Sequence, residues 1–184
     1  HDGPIFPFIA RTFEIHGPDQ MWVADLTYVT ISGGFAYVAL ILDAWSRRVV
    51  GYAIGRRIDA RLAVEALHRA IALRWPLPGC VFHTDRGSQY ASEVHRDLLE
   101  QHGFVGSMSR RGNCHDNAVA ESFFQLLKRE RIRRKTYPTR DDARRDVFEY
   151  IELFYNPKRK HTNNGMLSPV DFEIRQQKLN QAGV

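Results

Sequence analysis

Asp25, Asp85 and Glu121 are the residues of this 184-residue sequence whose type and setting best suit chemistry. Asp25 stands inside the strand-like run Trp22-Val-Ala-Asp-Leu-Thr-Tyr-Val-Thr-Ile31. Asp85 ends the run Cys80-Val-Phe-His-Thr-Asp85, just before Arg86-Gly87-Ser88, and Glu121 lies early in a helical segment that begins near Asn117. Aspartate is depleted in strands, so an Asp flanked by Val23 and Val29 on its own side of a strand calls for a reason. Three acids from two strands and a helix make an oxygen-only donor set. That set suits a hard cation, Mg²⁺ or Mn²⁺, and the phosphoryl transfer that two such ions support. Each acid alone also has a plainer account: Asp25 on the outer face of an edge strand, Asp85 as a turn former, Glu121 as a helix-surface glutamate.

The elements that would carry these acids are legible in the pattern. Residues 1–20, with Pro4, Pro7 and Pro18, read as an extended lead-in. Trp22–Ile31, Phe35–Leu42 and Val49–Ile54 read as three strands on short turns, an antiparallel meander. Asp59 caps a helix to about Arg74, with Leu62, Ala66, Leu67, Ala70 and Leu73 as its buried stripe. Cys80–Thr84 is a short buried strand. Ser92 opens a helix to about His102 with Val94, Leu98 and Leu99 inward, and Phe104–Met108 is a fifth strand. A basic loop at 109–116 leads into a helix from Asn117 to about Arg134. On that helix Glu121 lies opposite the Val119, Phe123, Leu126 and Leu127 stripe and in line with Asn117, Gln125 and Lys128. Asp116 and Asn117 read as its caps. Thr139 and Asp142 form a capping box for a helix to about Tyr155, and Ser168-Pro169 starts a last one. The order βββαβαβααα gives an α/β fold, a five-stranded mixed sheet flanked by helices.

Composition excludes several function classes. With 43% hydrophobic and 26% charged residues the chain is globular, and no run approaches the roughly 18 apolar residues of a membrane span. Cys80 and Cys114 lack metal-type spacing and read as free thiols in a reducing cytosol. The net charge is +5, and residues 107–135 alone carry eight Lys/Arg against Asp116, Glu121 and Glu130. A basic excess gathered around one candidate acid points to a polyanionic partner, or else to a solvated helix face. Opening on His1 without an initiator Met, the chain reads as a fragment.

Three segments resemble the integrase core of bacterial insertion-sequence transposases, DDE enzymes related to retroviral integrases. They are Trp22-Val-Ala-Asp-Leu-Thr-Tyr28, His83-Thr-Asp-Arg-Gly-Ser-Gln-Tyr90 and Asn113-Cys-His-Asp-Asn-Ala-Val-Ala-Glu-Ser-Phe-Phe124. The likeness runs from about residue 18 to about 173, through Tyr155-Asn-Pro-Lys-Arg-Lys-His161 and Leu167-Ser-Pro-Val-Asp-Phe172. It implies a ribonuclease-H-like fold, with a catalytic core over 21–135 and a C-terminal helical extension over 136–184 packed on it. It also implies that Asp25, Asp85 and Glu121 are catalytic and hold two Mg²⁺ or Mn²⁺ ions, Asp25 bridging both. The family's DNA-contacting basic residue falls on Lys128, and Arg86, Arg110, Arg111, Gln125 and Arg131 are further DNA-contact candidates. His83 and His115 are expected to pack or be solvated. The implied activity is metal-dependent cleavage of DNA ends followed by strand transfer, that is, DNA transposition. The alternatives are a hydrolytic nuclease of the same fold and a non-catalytic DNA-binding or assembly module. The expected partners are element-end and target DNA and further copies of the chain, in the bacterial cytoplasm and at the nucleoid when DNA-bound.

Overall fold

A computed structural model of the chain describes residues 6–111 and 117–183. Five strands form one mixed sheet in the order β3-β2-β1-β4-β5: β1 Met21–Ile31, β2 Gly34–Asp43, β3 Val49–Gly55, β4 Val81–Thr84 and β5 Val105–Met108. The meander β1-β2-β3 is antiparallel, as its short turns require, whereas β4 and β5 return through helical crossovers and run parallel to β1. Gly33 makes the first hairpin turn at a φ of 81°, a conformation glycine reaches without a Cβ clash.

Among the described residues six α-helices flank the sheet: α1 Ala60–Arg74, α2 Ser88–Ala91, α3 Glu93–Gln101, α4 Ala118–Leu127, α5 Arg140–Phe148 and α6 Pro169–Gln181. The expected caps form, with side-chain oxygens of Asp59, Ser92, Thr139 and Ser168 each accepting from the backbone N–H three residues on. Helices α4 and α5 run on as π-wound segments, Lys128–Ile132 and Glu149–Tyr155. One sheet face, with Trp22, Ala24 and Phe82, packs on Leu62, Ala66, Leu67, Leu98 and Leu99 of α1 and α3. The other, with Val23, Val29 and Leu40, packs on Ala120, Phe123 and Leu127 of α4 and on Val147 and Ile151. Among the described residues no helix is long and apolar enough to cross a membrane. Cys80 is buried and free; Cys114 lies outside the described residues.

Ser88–Ala91, outside the elements expected from the sequence, is a short helix. Three local expectations are corrected. In α3 it is His95 that turns inward, against the Phe82 and Tyr90 rings, and Val94 is exposed. Positions 94, 95, 98 and 99 all satisfy helical spacing, so periodicity alone does not fix the phase. Leu73 is in phase with the α1 stripe but sits in the last turn, at a cleft lined by Pro18, Val170 and Ile174, and is exposed. Asn117 takes the N-cap position of α4, yet its side chain makes no cap bond.

Close packing of α1 on β3 depends on Gly51. A Cβ there would lie 2.5 Å from the Ala66 carbonyl oxygen and 2.8 Å from the Ala70 Cβ, which are fixed parts of α1. Gly51→Ala is therefore expected to cost about 1–3 kcal/mol of unfolding free energy, read by urea denaturation.

The Tyr155–His161 motif is structural where it meets the sheet. Asn156 brackets Val49 with two 2.9 Å hydrogen bonds, Oδ1 accepting from its N–H and Nδ2 donating to its carbonyl. Tyr155 donates to the Arg47 carbonyl, and Asn164 to that of Ser46. Buried backbone groups at the start of β3 thereby find partners.

Candidate active site

Sheet register brings the two aspartates together. β4 pairs with β1 from Met21 to Val23, with Val23 opposite His83, and the same offset carried two residues on sets Asp85 beside Asp25. In parallel neighbours this puts both side chains on one face, strands being about 4.8 Å apart. That face is the one α4 covers. Asn117 fastens the start of α4 there, its Nδ2 donating to the Ala24 carbonyl at 3.1 Å. Glu121 follows one helical turn later.

The three carboxylates sit in different surroundings. Asp25 is half-buried, and its Oδ1 accepts from the Leu26 N–H at 2.8 Å. Its pKa is pushed up to about 6, first by burial; the Leu26 N–H and Lys128 oppose the rise, and the charges of Asp85 and Glu121 add to it. Asp85 is exposed, and its Oδ1 accepts from the Gly87 N–H at 2.7 Å, an Asx turn that holds it at the end of β4. Glu121 is half-buried. Among the described residues no three His, Cys, Asp or Glu side chains converge closely enough to form a metal-ligand group. The donor chemistry nevertheless fits a divalent cation: two further acids act on a half-buried carboxyl whose ionisation is already disfavoured, and a cation would remove that penalty.

Two buried oxygens near these acids were not anticipated from the sequence. Asn117 Oδ1 has no hydrogen-bond partner among the described residues, and neither has the Tyr90 hydroxyl. Tyr90 is fully buried, and its pKa is raised by burial and then by the nearby charges of Asp25 and Asp85. The sequence signal was present in both cases: Asn117 lies four residues before Glu121, and Tyr90 closes the Asp85 motif.

The basic candidates divide. Lys128 is exposed, with its Nζ 6.0 Å from the centre of the Tyr28 ring, and its charge reaches Asp25. Gln125 and Arg111 are exposed. Arg86 donates from Nε to the Ser109 carbonyl at 2.8 Å, and Arg110 stacks over Phe8. Arg131 turns to Asp146 at 3.2 Å and over the Tyr150 ring. His83 is buried between the Ser107 and Ser109 hydroxyls. His115 and Asp116 lie outside the described residues.

Two models of the integrase core domain match the chain, one over residues 15–114 and one over residues 121–179. The chain belongs to the integrase core domain family. Curated relatives agree with this. This integrase core is 43% identical over 173 residues to the uncharacterized 31 kDa protein of insertion element IS600 from Shigella sonnei, covering 94% of this chain and 64% of that one. It is 40% identical to the transposase for insertion sequence element IS904 of Lactococcus lactis (90% of this chain, 65% of that one). It is 42% identical to transposase InsF for insertion sequence IS3A of Escherichia coli (90% and 57%). The integrase core thus spans roughly six-tenths of the length of these relatives.

Solved structures share its fold at low identity. The simian T-cell lymphotropic virus intasome in complex with PP2A regulatory subunit B56 gamma aligns with a TM-score of 0.69 at 15% identity, over 94% of this chain and 59% of that one. The catalytic core domain of BIV integrase gives 0.61 at 14%, over 89% and 99%. The HTLV-2 integrase catalytic core domain in complex with magnesium gives 0.64 at 14%, over 87% and 99%. The fold is ribonuclease-H-like, as its mixed five-stranded sheet with flanking helices indicates.

Proposed function

We propose that this integrase core is the catalytic part of an insertion-sequence DNA transposase, with Asp25, Asp85 and Glu121 as its metal-binding catalytic acids. The observation that carries the reading is that the charges of Asp85 and Glu121 both bear on a half-buried Asp25, with the β1–β4 register, extended past Val23 and His83, bringing Asp85 to the same face. The named transposases among its relatives support the substrate class. Divalent cations, when bound, supply Lewis-acid stabilisation of the attacking and leaving oxygens of an in-line displacement.

The chain's own residues do the positioning. Asp25 lies within electrostatic reach of both partner acids, the Gly87 N–H fixes the Asp85 carboxylate, and Asn117 moors the helix that presents Glu121. Water attacks a phosphodiester at the element's end and releases a 3′-hydroxyl. That hydroxyl attacks a target phosphodiester, one P–O bond forming as another breaks, so no nucleotide cofactor is consumed. Neither step needs a Ser or Cys nucleophile, because positioning and electrostatics supply the catalysis. Joining two element ends calls for two or more copies of the chain, and HTLV-2 integrase cores are described in dimeric and trimeric forms.

The test is resealing of a branched oligonucleotide that mimics the strand-transfer product, in Mg²⁺ and then in Mn²⁺. Resealed DNA supports the transposase reading. Cut ends without joining would make the chain a nuclease, and a folded, metal-binding chain that does neither would overturn the assignment.

Lys128 stands beside Asp25 and is expected to hold a phosphate of the reacting strand. Lys128→Ala should then lower the slope of log affinity against log salt for duplex DNA by about 0.9. An unchanged slope would leave Lys128 as a solvated residue.

A further inference from the structure

We infer that an arginine-lined cleft at the C-terminal end of β3, separate from the acids, binds the phosphodiester backbone of a DNA strand extending from them, with one unpaired base against Phe35. The inference rests on the reading that the acids work on DNA.

The cleft encloses about 390 Å³ between the end of β3, the start of α1 and the start of α5, and Arg56, Arg57, Arg61, Arg140 and Arg144 line it. Its acids are already occupied: Asp59 caps α1 by accepting from the Leu62 N–H, and Glu65 pairs with Arg69. Among the described residues Arg144 is the engaged arginine of the five, with Asp141 and the Ile54 carbonyl. Among the described residues Arg56, Arg57 and Arg61 make no ion pair, and the Nε of Arg140 is buried without a hydrogen-bond partner. Scattered surface arginines need no explanation. Four without carboxylate partners around one cleft, with a buried donor left over, form a preorganised anion site.

The position of the cleft identifies the anion. A second cleft of about 350 Å³, lined by Ile31, Phe35, Arg56, Thr139, Arg140 and Asp141, shares Arg56 and Arg140 with the first, and its one acid, Asp141, pairs with Arg144. Phe35 meets Tyr28 edge-on at 5.0 Å between ring centres, and both rings are more than half exposed. Lys128 lies over Tyr28 and within electrostatic reach of Asp25. Tyr28 and Phe35 project from the sheet face opposite Asp25, and Lys128 of the α4 side reaches over Tyr28, so the inferred path leaves the acids past Lys128 and crosses to these rings and the arginines. From Asp25 to Ile31 the strand rises roughly 20 Å, the length of about six stacked nucleotides. Exposed rings interleaved with cations are the recognition chemistry of an unpaired strand.

The test is fluorescence anisotropy of this chain with a labelled oligothymidine of about twelve nucleotides, and with a matched duplex, in EDTA across a salt series. Arg57→Ala/Arg61→Ala is expected to lower the oligothymidine salt slope by about 1.4, since each single-strand phosphate contributes about 0.7. Arg57→Lys/Arg61→Lys is expected to keep the slope. Phe35→Ala is expected to weaken oligothymidine fivefold or more while duplex binding holds. A wild-type slope in the double alanine variant, or no oligothymidine binding by the wild-type chain at low salt, overturns the inference. Because this binding assay needs neither metal nor turnover, it fails or succeeds independently of the resealing reaction.

Discussion

Asp85→Asn is expected to leave a folded chain whose resealing activity falls about a thousandfold or more, the loss of several kcal/mol of transition-state stabilisation. Asn at this position keeps an acceptor for the Gly87 N–H, and Asp85 is exposed, so the fold has no reason to suffer. Glu121→Gln should behave alike. Asp25→Asn separates activity from stability more sharply. The carboxyl of Asp25 is pushed up to about 6 from an ordinary value of 3.8, so its ionised form is disfavoured in the folded chain. A folded-state pKa raised above the unfolded one gives stability that is full below about pH 4 and is lost as pH rises through about 6. In EDTA the wild type should therefore lose stability over that window and Asp25→Asn should not, leaving the inactive variant the more stable by on the order of 1–2 kcal/mol at pH 7. Urea denaturation at pH 4 and pH 7 reads this directly. Equal pH profiles would show that Asp25 is not under the strain of its neighbours.

The sequence carried the sheet and the helix caps well because both are set locally. Alternating apolar residues with Gly33 at the turn define the β1–β2 hairpin, and Asp59, Ser92, Thr139 and Ser168 each declare a helix start. The phase of short helices was less legible. Val94 and His95 compete for one inward position, and the rings of Phe82 and Tyr90, which lie outside α3 and so outside its periodicity, decide for His95. The acids were conspicuous as residue types, but their juxtaposition is a matter of register: a shift of β4 by one residue would send Asp85 to the opposite face. Nothing local reveals that shift. Asn117 shows the same limit, since its place as a cap could be read, whereas its bond to the Ala24 carbonyl joins positions far apart in the chain. The arginine cleft draws on β3, α1 and α5 and had no linear signature at all.

Arg74→Met is expected to destabilise the chain by about 3–5 kcal/mol, through the acids it would leave unpaired rather than through lost packing. Arg74 ends α1 almost fully buried, its Nε 2.8 Å from Asp19, its Nη1 2.6 Å from Glu173 and its Nη2 3.6 Å from the wholly buried Asp43. Burial opposes its charge, but the hydrogen bonds it donates to Glu173 and Asp19 outweigh that and raise its pKa. The cluster joins α1, the approach to β1, the end of β2 and α6. Arg48, 3.5 Å from Glu173, and Ser46, which donates to the same carboxylate, tighten the last of these links. Asp43 is already pushed up to about 6, chiefly by burial, although the Asp19 and Ser46 N–H groups and Arg74 all pull it down. Without the guanidinium its pKa must climb further. The sign follows: a raised folded-state pKa gives stability at low pH that is lost as pH rises, so the deficit of Arg74→Met should be largest at pH 7 and shrink toward pH 5 as Asp43 takes up a proton. Urea midpoints at the two pH values measure it, and hydrogen exchange should show α6 opening first, since Glu173 is its anchor in this cluster. A deficit independent of pH would mean that Arg74 acts by packing its aliphatic stem, and α6 would then be held by its apolar contacts alone.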